Sequence, residues 1–456
     1  MIPAWFSGSL KVEPIETSLE KAGSDIVSEF EDREFYMKAT TRILMAAGLV
    51  FLLAGCNGKF SAVAPLANSP VAPAVVYSPS VADNHLTADV YNCNKSDVDN
   101  VFFSPFSIIT ALAMASEGAK GNTQLEMQKV LYLNSDDTIR RTGFQSLIAE
   151  INKPGKGYQL STSNHLWLEQ TFTPLSTFVN PVVQYYSAGV TSLDFINNPG
   201  GSAQTINDTV SNETAGKITN LLSPSDLPPT TKFVLTNAIY FKADWQRQFE
   251  ASSSFPRAFF LNNGSTALPT MMNQTMPGAI EDYYGKAQVL ELPYVNRDVS
   301  MFIFLPPTGQ MAGLEADMTG PQLDGWFAAR VAPSLGVTQV AVTLPKFKFS
   351  THYDLGNILK SLGMVSAFSS TMADFSGIDG LKDLYISKVV HQAFVAVDEK
   401  GTEAAAATGV IGVGMVSYTP MPPTVPFTVD HPFFFALYEN NARAVLFLGK
   451  VNDPTK

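Results

Sequence analysis

From about residue 80 onward the chain reads as short apolar runs of strand character interspersed with apolar stretches of helical character. Asp83 to Asn92 predicts a helix. The run Val101-Phe102-Phe103 then passes through Ser104-Pro105 into Ile109 to Glu117, which is rich in Ala, Leu and Met. Pro105 suits a first helical turn and Ser104 suits its cap. Next, Gly118-Ala119-Lys120-Gly121-Asn122-Thr123-Gln124-Leu125-Glu126-Met127 reads as a helix stop and restart. Gly121 terminates one helix, and Thr123 with Glu126 three residues on predicts a capping box for the next. Leu160 to Glu169 alternates as a strand does, with Asn164 and Trp167 within it. Phe233 to Trp245 is a dense β-branched and aromatic run, the pattern of a central buried strand. Asn237 lies in its middle and should be hydrogen-bonded rather than free. Glu291 to Tyr294 and Ser300 to Pro306 predict two strands around a turn, and Thr343 to Phe349 predicts another. Val425 to Leu448 supplies three aromatic strands.

The N-terminal region has a different character. Residues 1–36 are acidic and mixed, whereas Met37-Lys38-Ala39-Thr40-Thr41-Arg42 opens a basic segment followed by an apolar core from Ile43 to Leu53. Residues 37–55 therefore read as a signal peptide, with a core too short for a membrane-spanning helix. Translation is expected to start at Met37, leaving residues 1–36 as an untranslated upstream extension. The ending Leu53-Ala54-Gly55-Cys56 resembles a bacterial lipoprotein signal, which implies lipid on Cys56 and a lipid-anchored place in a bacterial cell envelope. On that reading the protein touches the membrane through Cys56, with its folded part in the periplasm or outside the cell. A plain secretory signal or a short buried helix are the other readings. Residues 56–79, with Pro65, Pro70, Pro73 and Pro79 among Ala, Ser and Val, form an extended tether. Length alone would allow two or three domains. No comparable linker follows, so residues 80–456 read as one domain.

Composition narrows the function mainly by exclusion. The net charge of −11 comes with no basic cluster, so no nucleic-acid partner is expected. The two cysteines are Cys56 and Cys93. With Cys56 lipidated, no disulfide framework is possible, and Cys93 is expected to be a small buried or half-buried residue. None of the five histidines sits in an H-E-x-x-H motif, and no G-x-S-x-G, P-loop or C-x-x-C occurs. No metal or cofactor is expected, and an enzyme would need a triad dispersed in free order.

One stretch sets the functional reading: Glu399 to Val416, E-K-G-T-E-A-A-A-A-T-G-V-I-G-V-G-M-V. Its alanines suit a helix interior. Against that, Gly401 precedes them, Gly409, Gly412 and Gly414 follow, and Pro420, Pro422, Pro423 and Pro426 come soon after. The bracketing predicts an exposed loop of about twenty residues, a length that is uncommon and usually functional. Small residues are also what a segment needs if it is to slide between existing strands, where alternate side chains must fit beneath the sheet.

E-K-G-T-E-A-A-A-A-T closely resembles the hinge of the reactive-centre loop of inhibitory serpins. Further phrases resemble the family in its order from about Ser80 to the C-terminus: Gly118 to Met127, Asn207 to Leu222, Leu362 to Met364, Ala373 to Ile378, His431 to Phe435, and Leu446 to Lys450. The chain departs at Thr209, where the family usually carries Trp. The resemblance implies an α+β serpin fold, with several helices packed on three β-sheets. It also implies an exposed reactive-centre loop, about 399–424, that inserts into the main sheet as a new strand. The implied function is suicide-substrate inhibition of serine endopeptidases by a monomer that is not itself an enzyme. By position the hinge is Glu399, Gly401, Thr402, Glu403, Ala404, Ala405, Ala406 and Ala407. The shutter beneath the parting strands is Ser104, Ser107, Asn237 and His391, although a lone His391 would otherwise read as a satisfied structural histidine. The breach, where the loop enters the sheet, is Trp245, Lys346 and Glu399. Lys346 would pair with Glu399 as a gate, because an exposed ion pair contributes only about 0–1 kcal/mol.

Counting along the loop as in the family puts the reactive bond at Met415-Val416. Slack of a residue or two gives Val416-Ser417, or Tyr418 for a chymotrypsin-like target. Met415 with small neighbours suits elastase-like or chymotrypsin-like proteases, with subtilisin-like ones also in view. The absence of Lys and Arg between Gly401 and Pro432 argues against trypsin. The alternative is a non-inhibitory serpin acting as a surface binding or carrier protein. Such relatives usually carry bulky, charged or Pro hinge residues, unlike Thr402 and Ala404 to Ala407.

Overall fold

The structure is a computed structural model and describes residues 77–329, 338–403 and 423–456. Its first helix, Pro79–Asn94, has Pro79 in the first turn and is capped by Ser78, whose hydroxyl accepts from Val81 N at 3.3 Å. The helix Pro105–Ser116 is buried along its whole length, as its Ala, Leu, Ile and Met content demands. Ser104 caps it, accepting from Ser107 N at 3.2 Å.

Besides a two-stranded pair, Phe259–Phe260 with Thr266–Ala267, the described residues form three larger sheets. The main sheet runs in the order Phe347–Asp354, Ile386–Val397, Gly401–Thr402, Phe233–Asp244, Tyr158–Glu169, Gly189–Leu193. A second runs Val101–Phe103, Ala444–Val451, Phe433–Glu439, Val299–Leu305, Ala287–Pro293, Ile280–Tyr283. The third runs Thr424–Thr428, Thr338–Pro345, Thr270–Gly278, Phe255–Pro256. Both faces of the main sheet are covered. Phe233, Leu235, Ile239 and Phe241 join the large core that includes Pro105–Ser116. Val234, Ala238, Trp167 and Val390 pack instead with Ile206 and Val210 of the helix Pro199–Glu213. Double coverage explains why Phe233–Asp244 reads as a continuous apolar run rather than an alternating one.

Four expectations are corrected. The capping box at Thr123 and Glu126 does not form: the helix Gly121–Val130 begins after Lys120 without a side-chain cap. Thr123 Oγ1 accepts instead from Asp374 N at 3.0 Å, and Glu126 accepts from Ser366 N at 2.6 Å, so tertiary partners take both side chains. Thr343 to Phe349 is not one strand. The chain changes sheets there, from Thr338–Pro345 to Phe347–Asp354, with Lys346 at the corner. A period-2 pattern cannot reveal such a corner, because both strands are apolar on one face. Cys93 is exposed, on the last turn of its helix, because that end projects past the core. Finally, Asn207 to Leu222, which resembles a serpin helix ending in Gly216-Lys217-Ile218, is helical only as far as Glu213. Ala215 (φ 53°) and Gly216 (φ 73°) then turn the chain out of helical geometry.

Candidate functional site

The site is a seam in the main sheet. Ile386–Val397 and Phe233–Asp244 run parallel and pair directly from Ile386↔Phe233 to Phe394↔Tyr240. Beyond that they part, and Gly401–Thr402 lies between them, antiparallel to both: Thr402 opposite Val397 and Ala243, Gly401 opposite Asp244. Gly401 has to be glycine here, since a Cβ would lie 2.0 Å from the Ala243 carbonyl oxygen. Thr402 is 1% exposed, and its hydroxyl shares a 2.6 Å hydrogen bond with the Tyr294 hydroxyl.

The entrance is built on Trp245. Its ring stacks on Tyr294 with centroids 4.4 Å apart and planes 14° from parallel. Its backbone N donates to Lys400 O at 2.7 Å and its Nε1 to Asp398 O at 2.9 Å. Phe249 N donates to Glu399 O at 2.8 Å. Lys346, from the sheet-changing corner, donates to Glu399 Oε2 at 2.8 Å. Partial burial pushes the Glu399 carboxyl up, but hydrogen bonds from Lys346, its own backbone and Ser254, with the Lys346 charge, together outweigh it and hold the group below its usual range. Trp245, Lys346 and Glu399 thus lie together. Tyr294 and Asp398 complete the entrance and went unrecognised in the sequence, because nothing local ties Tyr294 to a threonine more than a hundred residues away.

Below the parting point sits a buried polar set. Ser104 N donates to His391 Nε2 at 3.0 Å, and His391 Nδ1 is bonded across the strand pair to Asn237 Oδ1. Asn237 Nδ2 donates to both Ser107 Oγ and Asn164 Oδ1. Ser104, Ser107, Asn237 and His391 are therefore one network, with Asn164 as an unforeseen fifth member. Its only sequence signal was a polar residue inside an apolar strand. Burial drives the His391 pKa from 6.5 down to about 3, so the ring is neutral and serves as donor on one nitrogen and acceptor on the other. The unfolded chain takes up a proton below 6.5 that the folded histidine refuses until about 3. Stability should fall as pH drops through that window. Urea midpoints at about pH 7 and about pH 5 should differ more for the wild type than for His391→Gln, and equal differences would refute this linkage.

At the end of the described hinge, Glu403 N donates to Ala396 O at 2.8 Å and the Glu403 carboxylate is paired with Lys217. Ala404 to Ala407, Met415, Val416, Ser417 and Cys56 lie outside the described residues. Among the described residues no group of three or more His, Cys, Asp and Glu side chains is placed to hold a metal ion.

Helices packed on several sheets, with Gly401–Thr402 set between two otherwise paired parallel strands of the main sheet, define a class. The family model "Serpin (serine protease inhibitor)" matches residues 81–454. The chain is 41% identical over 385 residues to bovine leukocyte elastase inhibitor, spanning 82% of this chain and 99% of that one. It is 40% identical to human Serpin B9, covering 79% and 95% of the two chains. An uncharacterized serpin-like protein of Thermococcus kodakarensis is 36% identical over 90% of this chain and 98% of its own. Among solved structures, human thyroxine-binding globulin with bound thyroxine aligns with a TM-score of 0.73 at 35% identity, covering 84% of this chain and all of that one. Uncleaved ovalbumin aligns at 0.72 and 28% identity, covering 83% of this chain and all of its own. The chain belongs to the serpin family, whose members are mostly protease inhibitors rather than enzymes.

Proposed function

We propose that this protein is a suicide-substrate inhibitor of elastase-like or chymotrypsin-like serine endopeptidases. The observation that carries the reading is the seam: Gly401 and Thr402 already pair between Ile386–Val397 and Phe233–Asp244, with four alanines next in the chain. The protease serine Oγ attacks the Met415 carbonyl carbon, the bond to Val416 N breaks, and the amine of Val416 leaves with a proton, giving an acyl-enzyme on Met415. Freed at that end, the loop continues into the seam and carries the acylated protease with it. Val416-Ser417 is the alternative bond. Lipid on Cys56 and the Pro-containing tether would hold the domain at a bacterial envelope membrane, close to the proteases it meets there.

The register makes the inserted state specific. Continuing from Thr402 opposite Ala243 and Val397, Ala404 meets Phe241 and Val395, and Ala406 meets Ile239 and Ala393. Thr408 then arrives between Asn237 and His391, on the same inward face as Thr402. Its hydroxyl replaces the partner that Asn237 and His391 lose as they part. Thr408→Val should therefore lower the melting temperature of the cleaved form by a few degrees and leave the uncleaved form unchanged. An unaltered cleaved form would refute this register.

The decisive experiment incubates the protein with pancreatic elastase, neutrophil elastase, chymotrypsin, subtilisin and trypsin. Denaturing gels are read together with the mass of the released C-terminal peptide. A denaturant-resistant complex and a peptide beginning at Val416 or Ser417 are expected. Clean cleavage without any complex would favour the carrier reading, for which the likeness to thyroxine-binding globulin speaks. The small residues Thr402 and Ala404 to Ala407 speak against it.

A further inference from the structure

Glu403 is the residue at which the chain leaves the sheet, and its conformation is at odds with its position. Its N–H already occupies the next rung, on Ala396 O at 2.8 Å. Its φ of 49° nevertheless lies in the left-handed region, which a side chain with a Cβ enters only when something holds it there. Its own carboxylate supplies the hold. One carboxylate oxygen, Oε1, is paired with Lys217 Nζ, while Oε2 is buried with no hydrogen-bond partner among the described residues. Lys217 is firmly placed for the task. Its N donates to Thr214 O at 3.0 Å, Ile218 beside it is 1% exposed, and Ile218 N donates to Thr214 Oγ1 at 3.3 Å. The left-handed pair Ala215 and Gly216 delivers it from the helix that covers the outer face of the seam. The side chains are 17% exposed for Glu403 and 38% for Lys217, so the contact is only partly screened by water.

We propose that Lys217 is a positioning residue for loop insertion: through Glu403 it holds the turn that keeps the loop out of the sheet. This rests on the insertion mechanism proposed above. For Ala404 to take the rung opposite Phe241 and Val395, Glu403 must move to extended geometry, and the ion pair that fixes its present turn must let go. The pair therefore acts on the rate at which the seam fills, not on the stability of the body. It ties the segment that follows the covering helix to Glu403 until the pair breaks.

The test measures insertion itself. Uncleaved protein is held at a fixed elevated temperature, and the loss of loop susceptibility to a protease that cleaves it is followed with time. Lys217→Met should speed that loss about two- to fivefold, the worth of a partly exposed ion pair. Lys217→Arg should restore the wild-type rate. Glu403→Gln should match Lys217→Met, and the double variant should be no faster than either single one. The melting temperature of the cleaved form should be the same in all of them, which a merely structural loss would not allow. An unchanged rate in Lys217→Met, or additive effects in the double variant, would overturn the proposal while wild-type complexes with protease left the inhibitor reading intact. A wild type that neither traps protease nor gains stability on cleavage would overturn both.

Discussion

On the proposed inhibitory mechanism, Thr402→Arg should turn the protein from an inhibitor into a substrate. Thr402 is 1% exposed and bonded to Tyr294, which is itself stacked on Trp245, so there is no room for a guanidinium and no carboxylate in that contact to meet it. Burying the unpaired charge costs several kcal/mol. Insertion then stops at its first residues, and water has time to hydrolyse the ester on Met415. The expected result is complete loop cleavage with no denaturant-resistant complex, and more than about tenfold more protein consumed for each protease inhibited. Thr402→Ser keeps the hydroxyl and should retain trapping. If the arginine variant still traps protease, insertion is not the mechanism.

Loop cleavage should raise the melting temperature steeply. A strand of about ten residues filling the seam adds ladder hydrogen bonds at roughly 0.5–1.5 kcal/mol each. The sum is about 5–15 kcal/mol, or on the order of 10–30 °C at roughly 2 °C per kcal/mol for a chain of this size. The wild type should show this rise after cleavage by any protease, trapped or not, and Thr402→Arg should show little of it. Calorimetry of both proteins before and after cleavage reads the difference directly. An unchanged wild-type value would mean that the uncleaved form stores no free energy, and the trapping mechanism would have no driving force.

These two results depend on different levels of information. The strands and helices around the seam are legible locally. Phe233–Asp244 is apolar throughout because it is covered on both faces, and Ser104-Pro105 announces its helix because capping uses groups within a few residues. The same locality misled at Thr123 and Glu126, whose cap was displaced by Asp374 and Ser366 from a distant part of the chain. It also hid the change of sheet at Lys346, since one apolar alternation fits two consecutive strands.

By itself the sequence determined the family and the run of small residues that follows Gly401. Each of these resides in consecutive residues whose size and backbone freedom need no partner. Only the tertiary structure decided that Thr402 is already seated under Tyr294, that Asn164 closes the His391 network, and that Glu403 is turned outward against Lys217. Those contacts join residues far apart in the chain. A side chain's type limits what it can bond, but only the packed sheet brings the particular partner within reach.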